Sequence, residues 1–288
     1  MNILIAGGTG FIGSNIVNSL CKNYNFFLIT RKKIKKKGKN TNIKYIYFKN
    51  YFELNKKLKK IKADIVIHSA THYVKEHKFE DIAKLSDANI LFGNIILENL
   101  KSMKVKKIIY FSTVWEDYNG IKDNTINLYS AYKKSFSYIF KYYQKLNKNI
   151  KFYYLMLSDT FGLNDKRNKI INILKENYKK NKLTKITSKN LNLNLLNVED
   201  LVSAIEIIIK QNIKPNKYVL KNNYDYKIFD IIKAFNKINF KKIKINWLSN
   251  KRIKHKIFNY KKLKSWKVNK SNIHDLIKII KYEKNFLR

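Results

Sequence analysis

The sequence has a single cysteine, Cys21, which excludes a disulfide framework and agrees with a reducing compartment. Proline occurs once and glycine eight times in 288 residues, so a proline-rich linker or a low-complexity segment is excluded, and no internal repeat stands out. No uninterrupted apolar run approaches the roughly 20 residues of a membrane-spanning helix. The chain enters an apolar strand at once, so no leader peptide and a cytoplasmic location are expected. Acidic residues are also scarce: 20 Asp and Glu stand against 61 Lys and Arg, a net charge of +41. Such a balance suits a nucleic-acid or anionic-membrane partner. However, the lysines are scattered along the whole chain, and Lys, Asn, Ile, Tyr and Phe are abundant together. That pattern favours compositional drift, and no nucleic-acid partner is expected.

What the chain does have is enough apolar residue, 45% of 288, for one large domain or a domain with a smaller lobe. Its organising stretch is Gly7-Gly8-Thr9-Gly10-Phe11-Ile12-Gly13, which follows the apolar run Ile3-Leu4-Ile5-Ala6. Phe11, Ile12, Ile16, Val17 and Leu20 then recur at helical spacing. The glycines therefore sit where a buried strand turns into a helix. Glycine permits the tight turn and the close approach of backbone N–H groups to a pyrophosphate, and the helix N-terminus adds partial positive charge. Strand and helix patterns then alternate, which predicts a doubly wound α/β sheet of the Rossmann type. Strands are expected over 2–6, 26–30, 43–48, 64–68, 107–112 and 150–157, with a long helix over 79–103 and another over 128–146. Residues 1–157 would form the dinucleotide-binding domain. Residues 158–288 would form mainly a substrate-binding lobe, beginning with a loop over 159–169 and sending strands back to the main sheet.

Tyr129 and Lys133 lie four apart on the helix after the fifth strand, so they share one face. An ammonium beside a tyrosine favours the phenolate, and such a tyrosine can pass a proton near neutral pH. The same spacing occurs at Tyr45/Lys49, Tyr118/Lys122, Tyr178/Lys182 and Tyr260/Lys264. Position at the carboxyl end of the sheet selects Tyr129. Thr113, ending the fifth strand after Ser112, could hydrogen-bond a substrate carbonyl. Strand two ends Thr30-Arg31-Lys32 with no acid to hold a ribose 2′-hydroxyl, so Arg31 and Lys32 point to NADP, with NAD as the alternative. The following basic run continues to Lys39. His68, His72 and His77 lack a second ligand cluster, so no metal site is expected.

These motifs, in this order, resemble the extended short-chain dehydrogenase/reductase family of nucleotide-sugar epimerases, dehydratases and reductases. Asp64-Ile65-Val66-Ile67-His68-Ser69-Ala70 resembles its fourth-strand segment, Asn89 its helix-four asparagine, and Asn197-Val198-Glu199-Asp200 a motif of its C-terminal half. Ser265-Trp266-Lys267-Val268 resembles its late Trp-Lys-Pro segment, with Val in place of Pro. Thr113-Val114-Trp115 and Asp159-Thr160-Phe161-Gly162-Leu163-Asn164-Asp165-Lys166-Arg167 resemble the 4-ketoreductase branch that makes CDP-abequose and CDP-paratose, with Phe161 and Leu163 departing from its pattern.

The resemblance implies Thr113, Tyr129 and Lys133 as catalytic residues. It implies Gly7, Thr9, Gly10, Phe11, Ile12, Gly13, Arg31, Lys32, Ser69, Ala70, Asn89, Tyr129 and Lys133 at the cofactor. It implies Thr71, Ser112, Trp115, Asp159, Asn164 and Arg167 at a nucleotide-diphosphate sugar, Arg167 clamping the diphosphate, and a homodimer. It implies NADPH-dependent reduction of a nucleotide-linked 4-keto-deoxysugar. A 4-epimerase with retained NAD would use the same residues. A dehydratase would need an Asp-Glu pair directly after its threonine, where this chain has Val114-Trp115 before Glu116-Asp117. A non-catalytic, nucleic-acid-binding or scaffold protein on the same fold is the alternative of a different class.

Overall fold

The computed structural model of the chain describes residues 1–34 and 42–281. Most of the basic run that follows Arg31, from Lys35 to Lys39, lies outside the described residues. The chain divides into two compact units. The first holds Met1–Leu157, Ile205–Val219 and Ile257–Leu263, and the second holds Ser158–Ala204, Leu220–Lys256 and the segment from Lys264 onward.

The first unit is built on a sheet of β1 (Asn2–Ala6), β2 (Asn25–Thr30), β3 (Ile43–Tyr47), β4 (Ile65–His68), β5 (Lys107–Thr113) and β6 (Lys151–Leu157). The strands Lys217–Leu220 and Lys261–Lys262 extend it beyond β6. Successive strands from β3 through β2, β1, β4 and β5 to β6 pair in parallel. The sheet grows in opposite directions from β1, through β2 on one side and β4 on the other. That makes the carboxyl end of β1 a topological switch point, the place where open α/β sheets bind ligands. Ile3, Leu4, Ile5 and Ala6 of β1 have no exposed surface, which is what a central strand covered on both faces requires.

The helices are α1 (Phe11–Leu20), α2 (Tyr51–Lys59), α3 (Asp81–Ser86), α4 (Phe92–Glu98) and α5 (Leu128–Leu146). The long helix expected over 79–103 is instead α3 and α4 joined through a π turn at Asp87–Leu91. The buried Asn89 amide donates to the Leu85 carbonyl at 3.0 Å, occupying the acceptor that a regular helix would give to its own backbone. The α5 start is fixed by a capping box, in which Asn127 accepts from the Ser130 N–H and the Ser130 hydroxyl accepts from the Asn127 N–H.

The second unit packs helices Ile170–Lys179, Ile228–Ile238 and Ile273–Lys281 around Phe161, Leu174, Ile231, Phe235 and Leu276. The loop expected over 159–169 begins with a short strand, Asp159–Phe161, paired in parallel with Leu195–Asn197. Among the described residues no helix is long and apolar enough to cross a membrane.

Gly7 has φ +84°, and a Cβ on it would stand 2.5 Å from the Ala70 nitrogen. A Cβ on Gly13 would stand 2.1 Å from the Gly7 carbonyl oxygen. The loop, α1 and the end of β4 are thus in backbone contact, and no side chain fits between them. Gly13→Ala should therefore destabilise the first unit by about 1–3 kcal/mol, the usual cost of overpacking. Urea titration of the two proteins checks this, and an unchanged midpoint would show that the loop relaxes at no cost.

Candidate active site

Thr9 and Gly10 stand exposed at the tip of the glycine loop, and Gly10, the N-cap of α1, has no side chain to make a capping bond of its own. Among the described residues, a Cβ at Gly10 would meet only the Gly7 oxygen, at 3.3 Å. The first turn of α1 carries no acidic residue. An open backbone tip with the positive end of a helix behind it fits a dinucleotide pyrophosphate. Phe11 and Ile12 follow as the half-buried start of that helix. Ser69 holds the loop from below, its N–H and its hydroxyl each donating to the Ala6 carbonyl at 2.9 Å.

Asn89 is 1% exposed and accepts from the Thr71 hydroxyl at 2.5 Å while donating to the His72 carbonyl at 3.0 Å. Both Thr71 and Asn89, expected at ligands, are here seen tying the segment after β4 to the π turn. His68, at the end of β4, is enclosed by Phe92, Tyr110 and Phe136. Burial pushes its pKa down to about 3, so it is neutral. Among the described residues no cluster of three or more His, Cys, Asp or Glu could hold a metal.

Thr113 ends β5, and its oxygen accepts from the Trp115 N–H at 3.2 Å. A hydroxyl that accepts one such bond still has its own proton to donate. Tyr129 and Lys133 occupy the first turns of α5 with Tyr129 half-buried and Lys133 at 3% exposure. Tyr73 packs edge-on against Tyr129, with ring centroids 5.1 Å apart, and lies 5.9 Å from the Trp115 ring. Nothing in the Tyr73 sequence context, between His72 and Val74, marked it as part of this group.

Lys133 sits over the Tyr110 ring at 4.4 Å. Burial pulls its pKa down to about 7, and the charge of Glu116 opposes that fall. Glu116 has no exposed surface. It accepts from the hydroxyls of Ser112 and Tyr154 and pairs with Lys217 Nζ at 3.3 Å. Asp117 is 2% exposed and pairs with Lys134 at 2.8 Å. Ser112, expected at the substrate, is therefore an interior residue at 4% exposure whose hydroxyl serves Glu116.

Strand two delivers Arg31 and Lys32 to the same edge of the sheet. Arg31 does not stand alone there, because Asp87 of the π turn pairs with it at 2.6 Å. Lys32 is exposed, and its backbone closes a turn with the Thr30 hydroxyl.

The remaining expected substrate residues lie in the second unit. Asp159 pairs with Lys169 at 3.0 Å. Asn164 has φ +62°, the left-handed conformation that asparagine tolerates in turns, so its place in the sequence has a backbone reason. Arg167, expected to clamp a diphosphate, directs its Nε to Asp165 at 2.8 Å and one Nη to Asp165 and the Thr160 carbonyl at 2.7 and 2.8 Å. Those bonds fold the segment 160–167 onto itself.

Residues 3–220 match the model of the NAD dependent epimerase/dehydratase family. The chain is 29% identical over 216 residues to CDP-abequose synthase of Yersinia pseudotuberculosis, covering 74% of each protein. It is 30% identical to dTDP-D-glucose 4,6-dehydratase of Dictyostelium discoideum over 80% of this chain and 60% of that one. In structure it resembles the UDP-glucose 4-epimerase of Thermus thermophilus solved with NAD, at a TM-score of 0.80, 16% identity, and coverage of 97% and 98%. That last likeness concerns the fold alone.

Proposed function

The chain belongs to the NAD dependent epimerase/dehydratase family, and from that premise we propose that it is an NADPH-dependent reductase of a nucleotide-linked 4-keto-deoxysugar, working in surface-polysaccharide sugar synthesis. The observation that carries this reading is the fate of its two acids after Thr113. Glu116 and Asp117 are 0% and 2% exposed and are spent on Ser112, Tyr154, Lys217 and Lys134. A dehydratase needs a proton donor and acceptor facing its sugar, and these carboxylates face the core. Thr113, Tyr129 and Lys133 remain; they serve carbonyl reduction and epimerisation alike, and the end of β2 at Arg31 and Lys32, with no acid of its own, favours a reductase that exchanges NADPH. The likeness to CDP-abequose synthase supports the same branch.

The cofactor, when bound, supplies the hydride to the keto carbon. Thr113 donates a hydrogen bond to the carbonyl oxygen and orients it. Tyr129 gives its phenolic proton to that oxygen as negative charge develops there. Lys133, as an ammonium, stabilises the phenolate left on Tyr129 and holds the nicotinamide ribose. The second unit is assigned to binding the nucleotide sugar. NADPH is favoured over NADH because β2 ends in Arg31 and Lys32 rather than an acid. A single, buried cysteine, Cys21, agrees with a cytoplasmic protein. A homodimer is assigned to α5, on which Tyr138, Tyr142 and Leu146 recur every four residues and are 59%, 58% and 51% exposed.

Tyr129→Phe removes one hydroxyl and should lower turnover at least about a hundredfold while cofactor binding survives. Near-normal turnover would transfer the role to Tyr132, also half-buried on α5.

The pH dependence follows from Lys133. Its ammonium is present below about 7 and is lost as the pH rises through that value. The kcat/KM of the free enzyme should therefore fall on the alkaline side of neutrality. Glu116 raises the Lys133 pKa, so Glu116→Gln should move that fall to lower pH. A profile that does not move would detach Glu116 from Lys133.

The reaction is tested by mixing the enzyme with NADPH and a panel of CDP-, dTDP-, GDP- and UDP-linked 4-keto-6-deoxy and 3,6-dideoxy sugars. One of them should cause stoichiometric loss of NADPH absorbance in the near ultraviolet, and sugars without a ketone should cause none. Interconversion of two hydroxy-sugars without net NADPH oxidation would make the protein an epimerase.

A further inference from the structure

The Arg31 guanidinium is held from several directions. One Nη donates to Asp87 Oδ2 at 2.6 Å and also to the Tyr51 hydroxyl. The Tyr51 hydroxyl in turn donates to Asp87 Oδ1 at 2.5 Å, closing a three-membered ring of hydrogen bonds. Beneath it lie the rings of Phe48, Tyr51 and Phe92, whose centroids are 5.8, 5.5 and 5.7 Å from the guanidinium carbon. The three rings stack on one another. Burial and the bond to Asp87 raise the Tyr51 pKa far above its ordinary value, so its proton stays in the ring of bonds. The side chains of Arg31 and Asp87 nevertheless keep 52% and 31% of their surface in solvent.

The assembly draws on five places in the chain: the end of β2, the turn before α2, α2 itself, the π turn and the start of α4. Its position is what gives it a meaning. Ile29 of β2 is paired with Ala6, the residue before the glycine loop, so Arg31 stands beside the switch point of the sheet. A dinucleotide with its pyrophosphate on that loop presents the 2′ position of its adenosine ribose to the residues just after β2. Strand two has no acid of its own, but the fold returns one to this position from 56 residues further along the chain.

We propose that Asp87 is a specificity-determining residue for the 2′ substituent of the cofactor, acting against the arginine it holds. Arg31 attracts a 2′-phosphate. The Asp87 carboxylate, fixed on the same guanidinium, repels that phosphate and occupies a donor the phosphate would use. A 2′-hydroxyl meets neither penalty and can donate to the carboxylate. The protein should therefore favour NADPH over NADH far less than Arg31 alone would dictate. The inference rests on the reading of the glycine loop as a dinucleotide site.

The test is binding, not turnover. Calorimetric titration with NADPH and with NADH gives a pair of dissociation constants for each protein. Asp87→Asn keeps the shape of the side chain and removes its charge. It should tighten NADPH by roughly tenfold, the scale of one close charge removed from a partly exposed site, and change NADH by less than about threefold. Asp87→Ala should act in the same sense and serves if Asp87→Asn does not fold. Adding Arg31→Leu to either variant should abolish the gain, because the gain acts through the freed guanidinium. An unchanged NADPH-to-NADH ratio in both Asp87 variants, or equal losses for the two cofactors, would reduce Asp87 to a structural tether and overturn the proposal alone. Failure of the wild-type protein to bind either dinucleotide would overturn the proposal and the dinucleotide reading with it.

Discussion

The first unit depends on a backbone contact that two glycines allow. The Gly7 carbonyl lies where a side chain at residue 13 would have to be, and the Gly7 α-carbon faces the backbone of Ser69 and Ala70. Because of this, β1, α1 and the end of β4 meet at one point with nothing between them. The register then does the rest. Ala6 pairs with both Ile29 and His68, and His68 pairs with Tyr110, so the ends of β2, β4 and β5 are brought level with the loop. Arg31 and Ser69 directly follow the ends of β2 and β4, and Thr113 ends β5 three residues beyond Tyr110. Residues more than a hundred positions apart thus share one edge of the sheet.

Below Tyr129 and Lys133 lies the second constraint, a group of charges taken out of water. A lysine at 3% exposure loses most of its hydration, and its proton is held only as far as a nearby negative charge compensates. Glu116 supplies that charge while remaining satisfied by two hydroxyls and by Lys217. The Tyr154 hydroxyl donates to Glu116 and lies 3.3 Å from the backbone carbonyl of Lys133. Breaking such a buried set by removing one member costs more than the set contributes over an apolar equivalent, since it strands an uncompensated charge. The position of Glu116, one residue beyond Trp115 rather than directly after Thr113, therefore has a structural reason.

How much of this could be read in the sequence differs from place to place. The glycine loop, the parallel order of strands, and α5 over 128–146 were legible because apolar periodicity and glycine spacing are local signals. The family was legible from motif order. The π turn was not, because it is fixed by one buried amide, Asn89, whose partners are 4, 17 and 18 residues away. The strand at Asp159–Phe161 was hidden for a similar reason. Its three residues pair with Leu195–Asn197, and no pattern of alternation can show in so short a piece. At the proposed site, spacing and position in the sheet put Tyr129 and Lys133 forward, but they did not reveal that Arg31 has an acid waiting for it, that Arg167 is bound to Asp165, or that Tyr73 stands against Tyr129. The first and last depend on tertiary contacts between residues 56 positions apart, whose local sequence has no reason to announce them, and the Asp165–Arg167 pair, two residues apart, shows only once the segment has its turn.

The scarcity of acidic residues gives those contacts added weight. With 20 carboxylates against 61 basic side chains, an acid placed at random on the surface would find lysines everywhere and gain little from any of them. Yet several acids lie in the interior with defined partners. Asp200 is 2% exposed and accepts from the backbone N–H groups of Asn269 and Lys270 and from the Ser271 hydroxyl. The Trp266 indole donates to the Asp200 carbonyl at 2.9 Å, so the two C-terminal motifs read separately in the sequence are one structural unit. Asp165 organises the segment around Arg167, and Glu116 and Asp117 lie beneath α5. If the basic excess is drift of composition, it would accumulate on solvated faces, where a lysine costs nothing, and would spare positions where a carboxylate accepts bonds that no lysine can replace. The acids that remain buried in this chain are at such positions. Asp87 differs from them in keeping nearly a third of its side chain in solvent while still holding a fixed partner, which is what a group must do if it is to be felt by a ligand.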